Sequence, residues 1–282
     1  MAYVPEFRKT DSMKIGVCIS LTEEQAISRE KLVEGPKMVE RLGFDGLWFF
    51  DTIGRARALP DPLIGVSVAA SVTERITLGT CIYQVPLRNP VELAHRMMTV
   101  NLLAGDRLLW GVGAGSTQDD FSAVGEDYEG RFKKLRAALP TMRQLWAGDT
   151  VDGTNLQPWP EVRKGSKILI GSWAGSIWIP RAAKEFDGWI ASGHYTNIDT
   201  MKEGLERFRG KGGGTAVAAN IRVDLTKPTT DLEGMQGFTL ECEPVEAKRR
   251  LDMVRDAGFD HIVLVVNDAS EANLAAVRAL AD

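Results

Sequence analysis

Cysteine and histidine are scarce in this 282-residue chain. The three cysteines, Cys18, Cys81 and Cys242, are an odd number without close spacing, and this excludes a disulfide framework. Two of them lie inside apolar segments that resemble strands, which is typical of a protein of the reducing cytoplasm. The three histidines are not spaced with carboxylates as metal ligands are, so we predict no metal site.

Long apolar runs and blocks of like charge are also missing. No apolar stretch is long enough to span a membrane, and residues 1–11 lack the apolar centre of a signal peptide. The 34 lysines and arginines stand against 38 acidic residues, without a basic block that would neutralise a nucleic-acid backbone. We therefore expect a cytoplasmic protein that binds neither membrane nor nucleic acid.

The apolar content, in contrast, is that of an ordinary globular protein. Hydrophobic residues make up 44% of the chain and charged residues 26%, so a large core can be buried. Because α/β barrels reach about 250 residues as one domain, we predict a single domain over residues 1–282. Residues 1–12 are expected to form a flexible N-terminal extension.

Eight short apolar runs alternate with helical patterns along the chain. Most lack polar alternation, which is typical of strands covered on both faces in a parallel sheet. The predicted strands are residues 15–20, 46–50, 76–82, 108–112, 167–170, 189–191, 216–223 and 261–266. Strict alternation with right-handed crossovers predicts a (β/α)₈ TIM barrel, and a doubly wound open sheet is the alternative.

The segments between the runs carry helix and turn signals. Two sets of apolar residues recur every three or four positions and predict amphipathic helices: Phe132, Leu135, Leu139, Met142 and Leu145, with a kink at Pro140, and Ala247, Leu251 and Val254. Glycine and aspartate mark the helix-to-strand turns at residues 43–46, 105–107, 186–188 and 258–261. Glycine suits the left-handed residue after a helix, and aspartate suits the turn into the next strand.

Two consecutive stretches carry a family resemblance. Residues 76–90 contain Leu-Gly-Thr and then Pro-x-x-x-Pro, and after a helix residues 105–115 contain Gly-Asp-Arg and Gly-Val-Gly-Ala-Gly. In this order the motifs resemble the luciferase-like family of flavin- or deazaflavin-dependent oxidoreductases. The resemblance implies a TIM barrel that uses FMN, with coenzyme F420 as the alternative, as a monooxygenase or hydride-transfer enzyme on a small organic substrate. It also implies a homodimer and a flavin reductase that supplies reduced FMN.

The resemblance places the coenzyme beside the third to fifth predicted strands. The predicted cofactor-binding residues are Cys81, Ile82, Gly113, Ser116, Gly171, Ser172, Trp173, Ala174, Gly175 and Ser176. Small residues and hydroxyls at 171–176 precede a helix, where free backbone N–H groups bind phosphate well. A simple serine N-cap is the alternative for this segment, and a tight strand-to-loop turn is the alternative for the glycines at 111–115.

The predicted catalytic residues are Asp51, Thr52 and His194, which lie at or just beyond the ends of predicted strands. Members of the family often have histidine where this chain has Thr52, and threonine cannot titrate near neutral pH. The remaining histidines, His95 and His261, are assigned to packing or surface roles.

Strand ends of a TIM barrel meet at one face, so certain side chains are expected to gather in one pocket. These are Asp51, Thr52, Tyr83, Ser116, Gln118 and His194.

The bond between Cys81 and Ile82 provides a further test of the resemblance. Related proteins often have a non-proline cis peptide here, and the alignment of Leu78-Gly79-Thr80 predicts one between Cys81 and Ile82. An ordinary trans strand is the alternative, since both side chains suit a buried strand. A trans bond would favour a third function for the chain, a barrel that binds flavin or another ligand without turnover.

Overall fold

A computed structural model describes residues 13–20, 28–55, 59–235 and 237–282. The predicted extension at residues 1–12 lies outside these described residues.

Eight parallel strands close into a barrel, as the sequence predicts. They are β1 (Lys14–Ile19), β2 (Gly46–Phe49), β3 (Thr77–Thr80), β5 (Leu108–Gly113), β6 (Lys167–Gly171), β7 (Gly188–Ser192), β8 (Thr215–Asp224) and β10 (His261–Val266). Two short strands extend the sheet at its carboxyl end: β4 (Tyr83–Gln84) beside β5 and β9 (Leu240–Glu241) beside β8. Since β10 pairs with both β8 and β1, the sheet has no open edge and the doubly wound alternative is wrong.

Nine helices surround the strands in the described part of the chain. They are α1 (Arg29–Arg41), α2 (Pro62–Val72), α3 (Pro90–Ala104), α4 (Gln118–Val124), α5 (Arg131–Ala147), α6 (Trp178–Glu185), α7 (Ile198–Arg209), α8 (Pro244–Ala257) and α9 (Glu271–Arg278). Short 3₁₀ turns occupy Val85–Leu87, Gly105–Arg107, Pro160–Val162 and Ala279–Ala281. The apolar faces of the helices pack on the outer face of the barrel, where most of the core lies.

Both predicted amphipathic helices are present, with one error. Ala247, Leu251 and Val254 are buried in α8. Helix α5 continues through Pro140, and Phe132, which was assigned to its buried face, is 44% exposed because it stands in the first turn, beyond the core. The Arg131 guanidinium covers its ring at 4.6 Å from the centroid.

The repeated Gly-Asp turns have a common physical role at the amino end of the barrel. The carboxylates of Asp45, Asp187 and Asp260 each accept a hydrogen bond from the first free N–H group of the preceding barrel strand, at 2.6–2.8 Å. Gly43 and Gly258 have positive φ angles of 82° and 94°, which glycine adopts without strain. Each aspartate thus satisfies a strand N–H that has no partner in the barrel.

Trp48 fills the lower part of the barrel interior. It is 1% exposed, and glycines surround it on three strands: Gly16 on β1, Gly46 on β2 and Gly79 on β3. His261 packs against the Trp48 ring at a centroid distance of 6.3 Å, and burial lowers the pKa of its imidazole to about 4. His261 is therefore neutral near pH 7 and takes part in packing, as predicted for it.

In the described ranges no helix is both long and apolar enough to cross a membrane. The same ranges hold no group of three or more histidine, cysteine or acidic side chains that could bind a metal ion.

The packing around Trp48 can be tested at Gly16. A Cβ added at Gly16 would lie 2.6 Å from Trp48 Nε1, so Gly16→Ala should lower the free energy of unfolding by about 1–3 kcal/mol. In a Trp48→Phe background, where the smaller ring makes room, the same substitution should cost clearly less. Urea unfolding of the four proteins measures this coupling, and an equal cost in both backgrounds would contradict the packing account.

Candidate active site

The carboxyl end of the barrel has an apolar floor. Inward-facing residues form a cluster separate from the outer core: Cys18, Trp48, Cys81, Leu109, Leu169, Ile190, Val217, Ala219 and Val263, with Phe50 and Ile82 packed against it. Burial and contact with Cys81 raise the pKa of the Cys18 thiol, so it remains protonated at neutral pH. This floor suits an apolar, flat ligand face better than a charged one.

Ile82 occupies the space above the glycine ends of two strands. The peptide bond between Cys81 and Ile82 is cis, as predicted, and the chain resumes as β4 at Tyr83. A Cβ at Gly113 would lie 2.8 Å from Ile82 Cδ1, and a Cβ at Gly171 would collide with Ile82 Cγ2. Both glycines are therefore needed to accommodate Ile82, whether or not a ligand approaches them.

The segment at residues 172–176 leaves several backbone N–H groups without a partner. Ser172 Oγ accepts a hydrogen bond from the Trp189 indole N–H at 3.1 Å, and Ser176 Oγ accepts one from the Trp178 N–H at 3.1 Å. Within the described residues, the N–H groups of residues 173–175 donate to no acceptor. Gly175 faces open space, since an added Cβ there would meet nothing within 4 Å.

Exposed aromatic residues adjoin this segment. The Trp173 ring lies 6.0 Å from Tyr195, and the His194 ring lies 4.0 Å from Tyr195. A cavity of about 510 Å³ lies between the segment that follows β6 and the segment that follows β7. It is lined by Trp173, Ala174, Gly175, Tyr195, Thr196, Asn197 and Thr200. His194 is thus at the predicted face of the barrel, in contact with Tyr195.

Asp51 lies beneath the loops in a buried ion pair. Its carboxylate is bound by both terminal nitrogens of the Arg88 guanidinium and accepts the Gln84 N–H at 2.8 Å. The Asp51 side chain is only 1% exposed, and burial raises the pKa of its carboxyl although Arg88 acts in the opposite direction. The carboxylate therefore holds the end of β2 to β4, and its catalytic role stays a prediction.

A second buried carboxylate, Asp120, was missed as a site residue. It is fully buried and accepts hydrogen bonds from the Arg55 guanidinium, the Gln84 side-chain amide and the N–H groups of Ile53 and Gly54. Burial acts to raise the pKa of Asp120, but these donors outweigh it and the pKa lies below its usual value. Asp120 of α4 therefore holds the loop that follows Thr52. The sequence has two adjacent acidic residues at the start of α4, Asp119 and Asp120, and does not indicate which of them is buried.

The other predicted pocket residues lie in three different surroundings. Thr52 is half-buried, and its hydroxyl has no hydrogen-bond partner among the residues that the structure describes. Ser116 and Gln118 are exposed beyond β5. The expectation that Tyr83 lines the pocket is wrong, because its ring lies in the outer core against Trp110, with the Arg88 guanidinium 4.3 Å from its centroid.

Two polar residues at the mouth were not predicted, Ser192 and Asn220. Asn220 has a φ angle of 58° and stands where β8 carries one residue more than β10 between paired positions. Its side-chain amide donates to Ser192 Oγ at 3.1 Å. Asparagine inside a strand is unusual and tolerates left-handed backbone, which is the one signal in the sequence that indicates this bulge.

Comparison with known proteins identifies the family. The sequence profile described as luciferase-like monooxygenase matches residues 13–230. The chain belongs to this family. The likeness extends to F420-dependent glucose-6-phosphate dehydrogenase of Amycolatopsis mediterranei, which is 30% identical over 132 residues, 43% of this chain and 39% of that protein. Matched segments span 30% to 63% of the length of the curated relatives.

Solved structures of other proteins share the fold. Monooxygenase RslO1 from Streptomyces bottropensis superimposes with a TM-score of 0.78 at 17% identity, covering 95% of this chain and 97% of that one. The oxygenating constituent of 3,6-diketocamphane monooxygenase from Pseudomonas putida, a complex with FMN, gives 0.73 at 14% identity, covering 96% of each. At such identities the likeness concerns the barrel alone.

Asp120 provides a test of the buried loop anchor. Replacing it by alanine leaves Arg55 and Gln84 without their acceptor, so Asp120→Ala should cost about 3–5 kcal/mol of unfolding free energy at pH 7. Because the folded-state pKa is lowered, the stabilisation is present above about pH 4 and is lost as the pH falls through that lowered pKa. Urea unfolding between pH 7 and pH 3 should show the difference from wild type shrinking in acid.

The neighbouring Asp119, which is exposed, serves as the matched control. Asp119→Ala should change stability by less than about 0.5 kcal/mol at either pH. Equal effects of the two substitutions would contradict the anchor.

Proposed function

We propose that the protein is an oxidoreductase that binds a flavin, FMN by preference, at the carboxyl end of the barrel and uses it on a small organic substrate. The observation that carries this proposal is the run of unpartnered N–H groups at residues 173–175, beside an apolar barrel mouth. One anion-binding edge next to an apolar floor matches a molecule with a flat ring and a phosphate.

The residues present fit the phosphate of such a coenzyme. Three adjacent N–H groups without an acceptor are donors of the kind that bind anions, and α6 begins at Trp178, shortly after them. Ser172 Oγ already accepts from the Trp189 indole, so its own proton is available for donation. The Ser172 hydroxyl and the N–H groups of residues 173–175 would hold the phosphate.

The apolar floor fits the ring. Phe50 and Ile82 are half-buried apolar side chains at the mouth, and they pack against the inner cluster that contains Cys81. Reduced flavin, when bound, supplies a hydride or activates oxygen. The chain itself orients the substrate and excludes water. Thr52 can give or take a hydrogen bond at Oγ1 but cannot exchange a proton near pH 7, so its position offers no acid–base group.

Coenzyme F420 is the second candidate, because the relative from Amycolatopsis mediterranei is named as F420-dependent. The same phosphate donors and apolar floor serve either ring. We also propose that the chain forms a homodimer and that, if the coenzyme is FMN, a separate flavin reductase supplies it in reduced form. If threonine in place of histidine at position 52 abolishes the chemistry, the barrel binds its ligand without turnover.

The phosphate site is tested at Gly175. The position is open, so glutamate fits sterically, and its charge should oppose the phosphate by about 1–4 kcal/mol and weaken coenzyme binding about fivefold or more. Gly175→Gln has nearly the same size without the charge and should retain most of the affinity. Fluorescence titration with FMN and with F420 measures both variants, and equal affinity of Gly175→Glu and wild type would remove this segment from the site.

The choice of coenzyme is tested by spectroscopy. Titration of the purified protein with FMN and F420 should perturb the visible spectrum of one of them, and we expect FMN. Turnover with the reduced coenzyme that binds is then compared in the presence and absence of oxygen: oxygen-dependent product identifies a monooxygenase, and oxygen-independent product identifies hydride transfer, which either coenzyme can carry out. Binding of neither coenzyme would contradict the proposal.

A further inference from the structure

A pair of polar side chains, Ser192 and Asn220, stands at the mouth without a role in the coenzyme site proposed above. Ile190 of β7 belongs to the inner cluster, and Ser192 follows it by two residues, so Ser192 faces the barrel interior in the uppermost layer. Its partner across the ladder is Ala219, also in the inner cluster. Above this apolar layer, Ser192 and Asn220 are the polar edge of the mouth on the β7–β8 side.

The hydrogen bonds that Ser192 Oγ accepts leave its O–H group free to act as a donor. Ser192 Oγ accepts from the Asn220 side-chain amide at 3.1 Å and from the His194 N–H at 3.4 Å, which uses both lone pairs of the hydroxyl oxygen. The O–H is then left to donate, and it meets no acceptor within the described residues. A hydroxyl that accepts two hydrogen bonds becomes a stronger donor, since hydrogen bonds in a chain polarise one another.

The backbone at Asn220 shows what holds this arrangement. A left-handed residue inside a strand is costly for any residue with a side chain, and asparagine is among the few that tolerate it. Ala218 pairs with Ile262 and Ile221 with Leu264, so β8 carries one extra residue there. The extra residue lets Asn220 face inward directly after the inward-facing Ala219, where a regular strand would turn it to the outer core.

We propose that Ser192, polarised by Asn220, donates a hydrogen bond to a carbonyl oxygen of the bound ligand. This inference rests on the proposed function in placing the ligand at the barrel mouth. The carbonyl belongs either to the ring of the coenzyme or to a ketone or aldehyde substrate. In the second case the bond stabilises the negative charge that develops on that oxygen during attack at the carbonyl carbon.

The test uses two probes, FMN labelled with ¹³C at both ring carbonyl carbons and cyclohexanone labelled with ¹³C at its one carbonyl carbon. Isotope-edited infrared difference spectra report the carbonyl stretch of the bound probe, which a strong hydrogen bond lowers. For the probe that supplies the carbonyl, the stretch should lie lower in wild type than in Ser192→Ala, and Ser192→Ala should bind that probe about three- to tenfold more weakly. Ser192→Thr keeps the hydroxyl and should restore the lower frequency.

Asn220 variants separate the amide from the backbone. Asn220→Gly adopts the left-handed conformation without strain, so it should fold normally and yet lose part of the frequency shift. In Asn220→Asp the carboxylate accepts a hydrogen bond from the Ser192 hydroxyl, which then no longer donates to the ligand. This variant should therefore abolish the frequency shift of the carbonyl stretch. Thermal unfolding checks that each variant is folded.

The two arms also distinguish the source of the carbonyl. A shift confined to FMN assigns it to the coenzyme, and a shift confined to cyclohexanone assigns it to the substrate. Equal frequencies in wild type and Ser192→Ala with both probes, or no bound signal with either, overturn the inference. If FMN binds to Ser192→Ala with unchanged affinity and neither probe shows a shift, this inference fails and the proposed coenzyme site stands.

Discussion

The small interior of an eight-stranded barrel is the constraint on which the rest of this structure depends. Such a barrel has room for few large side chains, and each one requires small neighbours on the adjacent strands. Trp48 fills the lower half against Gly16, Gly46 and Gly79, and Ile82 fills the upper edge against Gly113 and Gly171. The glycines of the family motifs are thus explained first by packing, and the apolar floor of the mouth is the upper surface of that packing.

Function is then confined to the rim, where side chains no longer fill the interior. On the β6 side the backbone at residues 173–175 offers donors, and on the β7–β8 side Ser192 offers a polarised hydroxyl. The carboxylates of Asp51 and Asp120, in contrast, are buried below the loops and neutralised by Arg88 and Arg55. The rim therefore presents neutral donors around an apolar floor, which suits catalysis by orientation of a coenzyme more than acid–base catalysis.

The sequence predicted the barrel well because its signals are local. All eight apolar runs are strands, and the Gly-Asp turns have one geometric purpose at Asp45, Asp187 and Asp260. The site was harder, because it depends on which way a side chain points after an irregularity. The chain irregularity after Cys81 turns Tyr83 into the outer core, and the bulge at Asn220 turns an unpredicted amide inward. Strand periodicity fails at such points, since one extra residue reverses the faces.

The central claim, that this barrel mouth binds a flavin-type coenzyme by its phosphate, is tested most directly by a crystal structure of the complex with FMN. The account predicts that phosphate oxygens lie within hydrogen-bond distance, about 2.7–3.2 Å, of the N–H groups of residues 173–175, with the ring over Ile82. Electron density for FMN elsewhere, for example in the cavity beside α1 that Phe50 and Ser270 help to line, would contradict it.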